Sequence, residues 1–202
     1  MRIHCMSLIA KRSTLRTIGY KEVRKCRRAV FQILLEVNQL GMSDEFSIRL
    51  GEASDIAALV NFNRAMARET EAKELDSKVL TAGIENLLKN KQHGFYVVAQ
   101  QTRGAQCEVI GSLMVTYEWS DWRNGLFWWI QSVYIKPEFR RRGIYSRLYE
   151  FVKETASAQG VCGFRLYVEK ENRIAQETYE KLGMAESHYV MYEELSGRTT
   201  ND

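Results

Sequence analysis

The run from Gln131 to Ser146 constrains the fold of this chain more than any other stretch. Its first part is apolar and predicts a strand, its middle holds the only proline of the sequence, and its end is a basic turn before a predicted helix. Backbone N–H groups at a helix start have no partner within the helix and lie at the positive end of its dipole, so they can hold an anion. Gly143 permits a tight turn, and Arg140–Arg142 add positive charge. The run predicts a phosphate-binding turn, with a solvated basic loop as the alternative.

A second motif follows downstream of a predicted strand at Phe164–Glu169. It has the pattern N-x-x-A-x-x-x-Y-x-x-x-G, and its fixed positions are Asn172, Ala175, Tyr179 and Gly183. Residues three or four apart lie on one face of a helix, so the pattern predicts a helix that begins near its asparagine. The glycine is expected to end that helix.

Together the two motifs resemble the GNAT acetyltransferase superfamily. The phosphate loop of that family reads Q/R-x-x-G-x-G/A; Arg140 and Gly143 fit it, whereas Tyr145 stands where the family has its final small residue. Two motifs in the right order are far more specific than either one alone. The resemblance extends over Phe46–Glu194. It implies an α/β fold with a mixed, mostly antiparallel central sheet flanked by helices on both faces.

The resemblance also implies acetyl-CoA as cosubstrate, with no metal. In the family, the backbone of the strand corresponding to 133–135 pairs with the pantetheine arm, and that strand splays from the next to admit the thioester. The sequence lacks a P-loop and lacks the three-glycine pattern of a dinucleotide-binding fold. The residues expected to bind the cofactor are Val133, Tyr134, Ile135, Arg140, Arg141, Arg142, Gly143, Ile144, Tyr145, Ser146 and Asn172.

Three residues are candidates for catalysis. An alkylamine, with a pKa of ~10.4, is almost wholly protonated at neutral pH, so a base, or a water path to one, must take its proton before it attacks. Glu118 is the first candidate for the base, with an exposed strand-end carboxylate as the alternative. Gln131 stands where polyamine acetyltransferases carry a carboxylate, and it can orient water but cannot hold a proton. Tyr179 occupies the family's general-acid position, with a core tyrosine as the alternative.

The expected reaction is direct attack of a primary amine on acetyl-CoA within a ternary complex. The acceptor is left open between a small molecule and a protein amine, and a homodimer is left open as the assembly. Acids outnumber bases in residues 68–76, and with Glu118 and Asp121 they favour a cationic acceptor; a solvated charged turn is the alternative. A noncatalytic acyl-CoA sensor or partner-binding module is the competing class, because Gln131 and Tyr145 depart from the family pattern.

Composition bounds the chain to one globular domain without a metal site. Its 202 residues are 45% hydrophobic, enough to bury a full core. The four cysteines and three histidines are scattered without metal-ligand spacing, so we expect reduced thiols in the cytoplasm. No apolar stretch is long enough for a membrane span, and no signal-peptide core precedes Lys11, so we expect no membrane partner.

Charge is distributed unevenly along the chain. Residues 1–41 hold nine Lys or Arg against two Glu, a formal charge of +7, whereas the remainder carries −3. We interpret residues 1–41 as a basic N-terminal extension or as the product of a start codon assigned too early, since Met42 looks like a natural domain start. Residues 42–202 form the predicted acetyltransferase domain. A nucleic-acid arm ranks below these interpretations of the basic segment.

The remaining patterns predict the other elements. Apolar spacing predicts helices over 55–68, 77–90 and 144–158, the first two capped by Asp55 and Asp76. Alternation predicts strands over 46–50, 95–99, 109–117 and 188–192, with residues 101–106 as a hairpin turn. The strand at 127–135 is apolar on both faces and is predicted to be the centre of the sheet.

Overall fold

The computed structural model describes residues 46–194. The predicted basic extension of residues 1–41 and the domain start at Met42 lie outside the described residues. Within residues 46–194, no helix combines the length and apolar character that crossing a membrane requires.

Five strands form one sheet, and their order in space is their order in the chain. They are β1 (Phe46–Leu50), β2 (Gly94–Arg103), β3 (Gln106–Ser120), β4 (Gly125–Ile135) and β5 (Gly163–Leu166). Strands β1 to β4 pair antiparallel, and β4 pairs with β5 in parallel. The predicted mixed, mostly antiparallel sheet is therefore confirmed.

Helices cover both faces of this sheet. They are α1 (Ile56–Glu71), α2 (Ser77–Lys89), α3 (Ile144–Ser157) and α4 (Arg173–Lys181). Successive side chains of a strand point to opposite faces, and β2 shows the result. Val97 belongs to a core cluster with Leu148 of α3, whereas Val98 belongs to a second cluster with Leu59 of α1 and Ile84 of α2.

Asp55 was predicted to cap α1, but its side chain instead connects β1 to the segment before that helix. It stands before α1 but makes no side-chain hydrogen bond to the start of that helix. Its buried carboxylate instead accepts two hydrogen bonds from Arg49, at 2.7 and 2.8 Å, and one from the N–H of Glu52 at 2.9 Å. Burial raises the pKa of Asp55, but these hydrogen bonds and the charge of Arg49 outweigh it, so the pKa lies below its ordinary value.

The middle strand of the sheet is β3, so the prediction that 127–135 forms the centre is wrong. Strand β4 lies between β3 and β5, and its apolar character reflects cover on both faces rather than a central position. The predicted turn at 101–106 is also too long. Strands β2 and β3 pair as far as Arg103 and Gln106, which leaves two residues between them, and Gly104 has a left-handed φ of 61°.

The predicted last strand, over 188–192, does not form. Residues 184–194 lie in neither a helix nor a strand, and the side chains of Tyr189 and Tyr192 are exposed. Strand β5 is also shorter than predicted, since it ends at Leu166 rather than at Glu169. Alternation alone does not make a strand, because the backbone groups also need a neighbour to bond with.

Candidate active site

The candidate site is an opening between β4 and β5. The two strands pair at four positions, from Phe127 opposite Gly163 to Ile130 opposite Leu166. Strand β5 then ends, whereas β4 continues through 131–135. Among the described strands, none pairs with this side of 131–135, so the edge of β4 is open where the resemblance places the pantetheine arm.

A β-bulge lies in β4 where the two strands part. Opposite β3, Met114 faces Gln131 and Ser112 faces Tyr134, so β4 carries one extra residue. Within the bulge, Ser132 has a left-handed φ of 48°, which is strained for a residue other than glycine. The Tyr96 hydroxyl, buried beneath, shares a hydrogen bond with the Ser132 side chain. The bulge interrupts the β3–β4 ladder where β4 and β5 part, and no sequence pattern indicated it.

The basic turn follows β4 directly and ends at the start of α3. A short 3-10 turn, Pro137–Phe139, leads to Arg141 and Gly143, whose φ values are both left-handed at 64° and 73°. A Cβ atom added to Gly143 would meet nothing within 4 Å, so glycine is needed here for its backbone conformation and not for space within the chain. The first N–H groups of α3 lie at this turn and can bind an anion.

Arg140 is held in place by groups of the protein. Its Nη2 donates to Glu69 at 2.6 Å and its Nε donates to the carbonyl of Ile135 at 2.9 Å. The hydroxyl of Tyr134 donates to the other oxygen of Glu69 at 3.0 Å, and the guanidinium lies 5.4 Å from the centre of the Tyr134 ring. Burial, followed by the hydrogen bond to Glu69 and its charge, raises the pKa of Tyr134. Its hydroxyl therefore stays a donor at neutral pH.

Tyr145 stands where the loop motif departs from the family pattern. It lies in the first turn of α3, and its side chain is buried. Its ring stacks on Tyr149 at 6.2 Å and meets Tyr179 edge-on at 5.5 Å. Its buried hydroxyl has no hydrogen-bond partner among the described residues. Burial, and then the neighbouring Tyr179 and Tyr149, raise the pKa of Tyr145 well above its usual range. The side chain is thus packed among core rings, and the position keeps a backbone N–H for the turn.

Tyr179 lies on α4. Its ring contacts that of Tyr145, which follows the basic turn. It is half-buried and packs against the core, and burial raises the pKa of its hydroxyl, which stays protonated at neutral pH. The helix that carries it begins as predicted, because Asn172 Oδ1 accepts the N–H of Ala175 at 3.1 Å. It ends before Gly183, whose N–H bonds to the carbonyl of Glu180.

The structure groups most of the predicted site residues at one place, and the backbone of Glu118 lies further back along the sheet. Gln131 lies where the strands part, and its Nε2 donates to Thr116 at 2.7 Å. Glu118 lies opposite Phe127, four residues back along β4, or about 13 Å at ~3.3 Å per residue. Its carboxylate accepts hydrogen bonds from Trp129 and from Arg165, the latter at 2.5 Å. The carboxylate is therefore held between β4 and β5, one residue before the position where β5 ends.

The acids that favoured a cationic acceptor are all engaged within the chain. Four form ion pairs and two accept backbone hydrogen bonds: Glu69 with Arg140, Glu71 with Lys73, Glu74 with Arg68, Glu118 with Arg165, Asp76 with Lys78 N and Asp121 with Trp122 N. The four carboxylates in ion pairs attract a cation weakly, whereas a backbone hydrogen bond to Asp76 or Asp121 offsets no charge. The charge argument for such an acceptor is therefore weaker than the sequence alone indicated. Residues 46–194 contain no group of three or more His, Cys, Asp or Glu placed to hold a metal ion.

Sequence reasoning missed Arg165 and Ser132, and it gave Glu69 a different role, as one of the acids that favour a cationic acceptor. Glu69 and Arg165 act through contacts with residues 71 and 47 positions away, which no local pattern reports. Ser132 supplies the strained position of the bulge, where glycine or asparagine would have been a clearer signal.

Comparison with known structures shows that this fold is shared with acetyltransferases. A possible acetyltransferase from Clostridium difficile 630 superposes with a TM-score of 0.68 at 45% identity, covering 75% of this chain and 97% of that one. A predicted acetyltransferase with acetyl-CoA from Clostridium acetobutylicum gives a TM-score of 0.61 at 18% identity, covering 74% and 96%.

Sequence comparison then gives the family. The model of the acetyltransferase (GNAT) family matches residues 57–184, so the chain belongs to that family. Thialysine N-epsilon-acetyltransferase from Sus scrofa is 34% identical over 94 residues, which cover 44% of this chain and 55% of that protein. The enzyme of the same name from Bos taurus is 33% identical over 75 residues, covering 37% and 44%. The chain thus spans about half the length of the curated relatives it matches.

Proposed function

We propose that this protein transfers the acetyl group of acetyl-CoA to a primary amine by direct attack within a ternary complex. One observation carries the proposal: the open edge of β4 at 131–135 leads without interruption into the turn at Gly143 and the start of α3. A backbone edge suits the amide groups of a pantetheine arm, and the helix start suits its pyrophosphate. Membership of the family, and the acetyl-CoA carried by the Clostridium acetobutylicum neighbour, support the same cosubstrate.

The proposal assigns the chemical steps to three groups. The backbone of Val133–Ile135 and the turn 140–146, with Asn172, would hold acetyl-CoA. Gln131 would orient a water through which the attacking ammonium loses its proton to Glu118, whose carboxylate is bound by Trp129 and Arg165 beside the opening. Tyr179 would give its proton to the thiolate that leaves as the tetrahedral intermediate collapses.

The acceptor class is proposed to be a small primary amine. The curated relatives act on the ε-nitrogen of thialysine, as their name states, and they match this chain over part of their length. Thiol release from acetyl-CoA, measured over a panel of amino-acid side-chain amines, polyamines and peptide amines, would identify the acceptor. Binding of acetyl-CoA without turnover of any of these amines would favour the noncatalytic sensor instead.

The phosphate turn is tested by replacing Gly143 with valine. A β-branched residue at a φ of 73° is strained by about 1–2 kcal/mol, so the turn should shift and the affinity for acetyl-CoA should fall roughly tenfold or more. Gly160→Val is the matched control, since Gly160 has a φ of 64° and equal space but lies beyond the far end of α3. Calorimetry that shows the same affinity in Gly143→Val and Gly160→Val would contradict the assignment.

A further inference from the structure

Glu69 lies at the junction of three elements without belonging to either sequence motif. It is in the last turn of α1, and its carboxylate oxygens divide between two partners. One oxygen accepts from Arg140 of the phosphate turn at 2.6 Å, and the other accepts from Tyr134 of β4 at 3.0 Å. The side chains of Glu69 and Arg140 are both about two-fifths exposed, so this cluster lies at the surface.

These contacts determine the orientation of the Arg140 guanidinium. A guanidinium is planar and carries five N–H groups in a fixed fork. With Nε on the carbonyl of Ile135 and Nη2 on Glu69, two points of that plane are fixed, and the Tyr134 ring lies 5.4 Å away. Nη1 takes part in neither hydrogen bond. The arginine is therefore oriented before a ligand arrives, which reduces the entropy that binding must remove.

We propose that Glu69 is a positioning residue for the cofactor: it holds Arg140, together with Tyr134, in the orientation in which the phosphate turn receives the pyrophosphate of acetyl-CoA. The inference rests on the proposed function, because it requires acetyl-CoA to bind at this turn. Glu69 itself does not touch the cofactor; it acts through Arg140.

Charge alone predicts the opposite effect. Acetyl-CoA is a polyanion, so removal of a carboxylate beside its phosphate site should strengthen binding. A positioning role predicts weaker binding, because Arg140 loses the partner that orients it. The sign of the change in affinity therefore separates the two explanations.

The experiment measures acetyl-CoA affinity by calorimetry in Glu69→Ala and in Glu71→Ala. Glu71 pairs with Lys73 at 3.4 Å, so its variant removes the same charge two residues away without changing a contact of Arg140. We expect Glu69→Ala to bind acetyl-CoA roughly fivefold more weakly, the upper range for an exposed pair, and Glu71→Ala to bind it equally well or slightly better. In turnover, the KM for acetyl-CoA should rise while kcat at saturation is retained.

A double-mutant cycle shows whether the effect passes through Arg140. In an Arg140→Ala background, Glu69→Ala should cause no further loss of affinity. Glu69→Gln keeps an oxygen that can accept from Tyr134, and we expect it to lose less acetyl-CoA affinity than Glu69→Ala. Thermal unfolding of each variant should show an unchanged Tm. Unchanged or tighter binding in both Glu69 variants, with wild-type affinity intact, would overturn this inference alone. Failure of the wild-type protein to bind acetyl-CoA would overturn the proposed function and this inference with it.

Discussion

Tyr145 departs from the family pattern, yet its side chain is buried in the core and does not occupy the turn at Gly143. The family has a small residue at this position, where this chain has a tyrosine. The ring lies between Tyr149 and Tyr179 in the core, although its hydroxyl finds no partner among the described residues. A buried hydroxyl without a hydrogen bond destabilises the fold by about 1–3 kcal/mol.

Replacing Tyr145 with phenylalanine should therefore stabilise the protein. The ring contacts are kept and the unpaired hydroxyl is removed, so the free energy of unfolding should rise by about 1 kcal/mol, equivalent to roughly 2–4 °C in Tm for a domain of this size. Tyr149→Phe provides the comparison at a neighbouring ring. A lower Tm in Tyr145→Phe would mean that the hydroxyl makes a stabilising hydrogen bond.

Replacing Tyr179 with phenylalanine tests the proposed acid. The ring and its edge contact with Tyr145 remain, and only the proton donor is lost, so kcat should fall about 10²- to 10⁴-fold while acetyl-CoA affinity changes little. Tyr149→Phe removes a nearby tyrosine hydroxyl outside the assigned machinery and should keep kcat within a few-fold. Near-normal kcat in Tyr179→Phe would exclude this residue as the essential acid.

At the residue scale, the sequence identified groups that act through local geometry and missed those that act through distant partners. The turn at Gly143 was predictable because glycine and a following helix define it within a few residues. The engagement of Glu118 was not, because Arg165 comes from a strand 47 residues later.

At the scale of elements, the helices were predicted closely, the long strands β2 and β3 were located but predicted too short, and irregular segments were not predicted. Asp76 caps α2 as predicted, because its carboxylate and the N–H groups it accepts lie within three residues. The predicted strand at 188–192 failed because its formation depends on a partner that local alternation does not supply. The bulge at Ser132 escaped prediction for the same reason, since register is a property of two strands.

The connection between β1 and α1 should be sensitive to acid. Since the pKa of Asp55 is lowered from 3.8, its stabilising effect is fully present above that pH and is lost as the pH falls through the lower folded-state value. Asp55→Asn should reduce the free energy of unfolding by roughly 1–3 kcal/mol at pH 7. This is less than for a fully buried ion pair, because Arg49 is about a third exposed and solvent screens its charge. Denaturation with urea at pH 7 and at pH 3 should show the difference from wild type shrinking at the lower pH.

Glu85→Gln is the control for that measurement, since Glu85 forms an exposed pair with Lys89 within α2. It should change the free energy of unfolding by less than about 0.5 kcal/mol at either pH. A difference for Asp55→Asn that persists undiminished at pH 3 would mean that the ionised carboxylate is not the source of the stability.

At the scale of the whole molecule, the sheet type and the helices on both faces were predicted from the family resemblance together with the apolar patterns. The pattern of β2 explains this success, since Val97 and Val98 are both buried yet belong to different core clusters. A strand buried on both faces needs a helix layer on each side. Which strand lies in the middle was not predictable from burial, because β4 and β3 are both covered.

The predicted domain boundary can be tested with a shortened chain. A protein that begins at Met42 should fold and bind acetyl-CoA with the affinity of the full chain, because the described core and the candidate site lie within residues 46–194. Circular dichroism and calorimetry on both chains would measure this. Aggregation of the shorter chain, or an affinity reduced more than a few-fold, would show that residues 1–41 contribute to the domain.

The agreement between strand order and chain order bears on how this protein acquires its fold. Strands β2, β3 and β4 follow one another with short turns, and the β2–β3 turn needs only two residues, so these three strands can assemble as hairpins of low contact order. The two edge pairs are different, since β1–β2 requires the connection through α1 and α2, and β4–β5 requires the crossover through α3 and then gains four paired positions. The three central strands are thus placed to assemble early and both edge strands late. Strand β5, beside the opening, has the smallest share of backbone pairing to protect it from local unfolding.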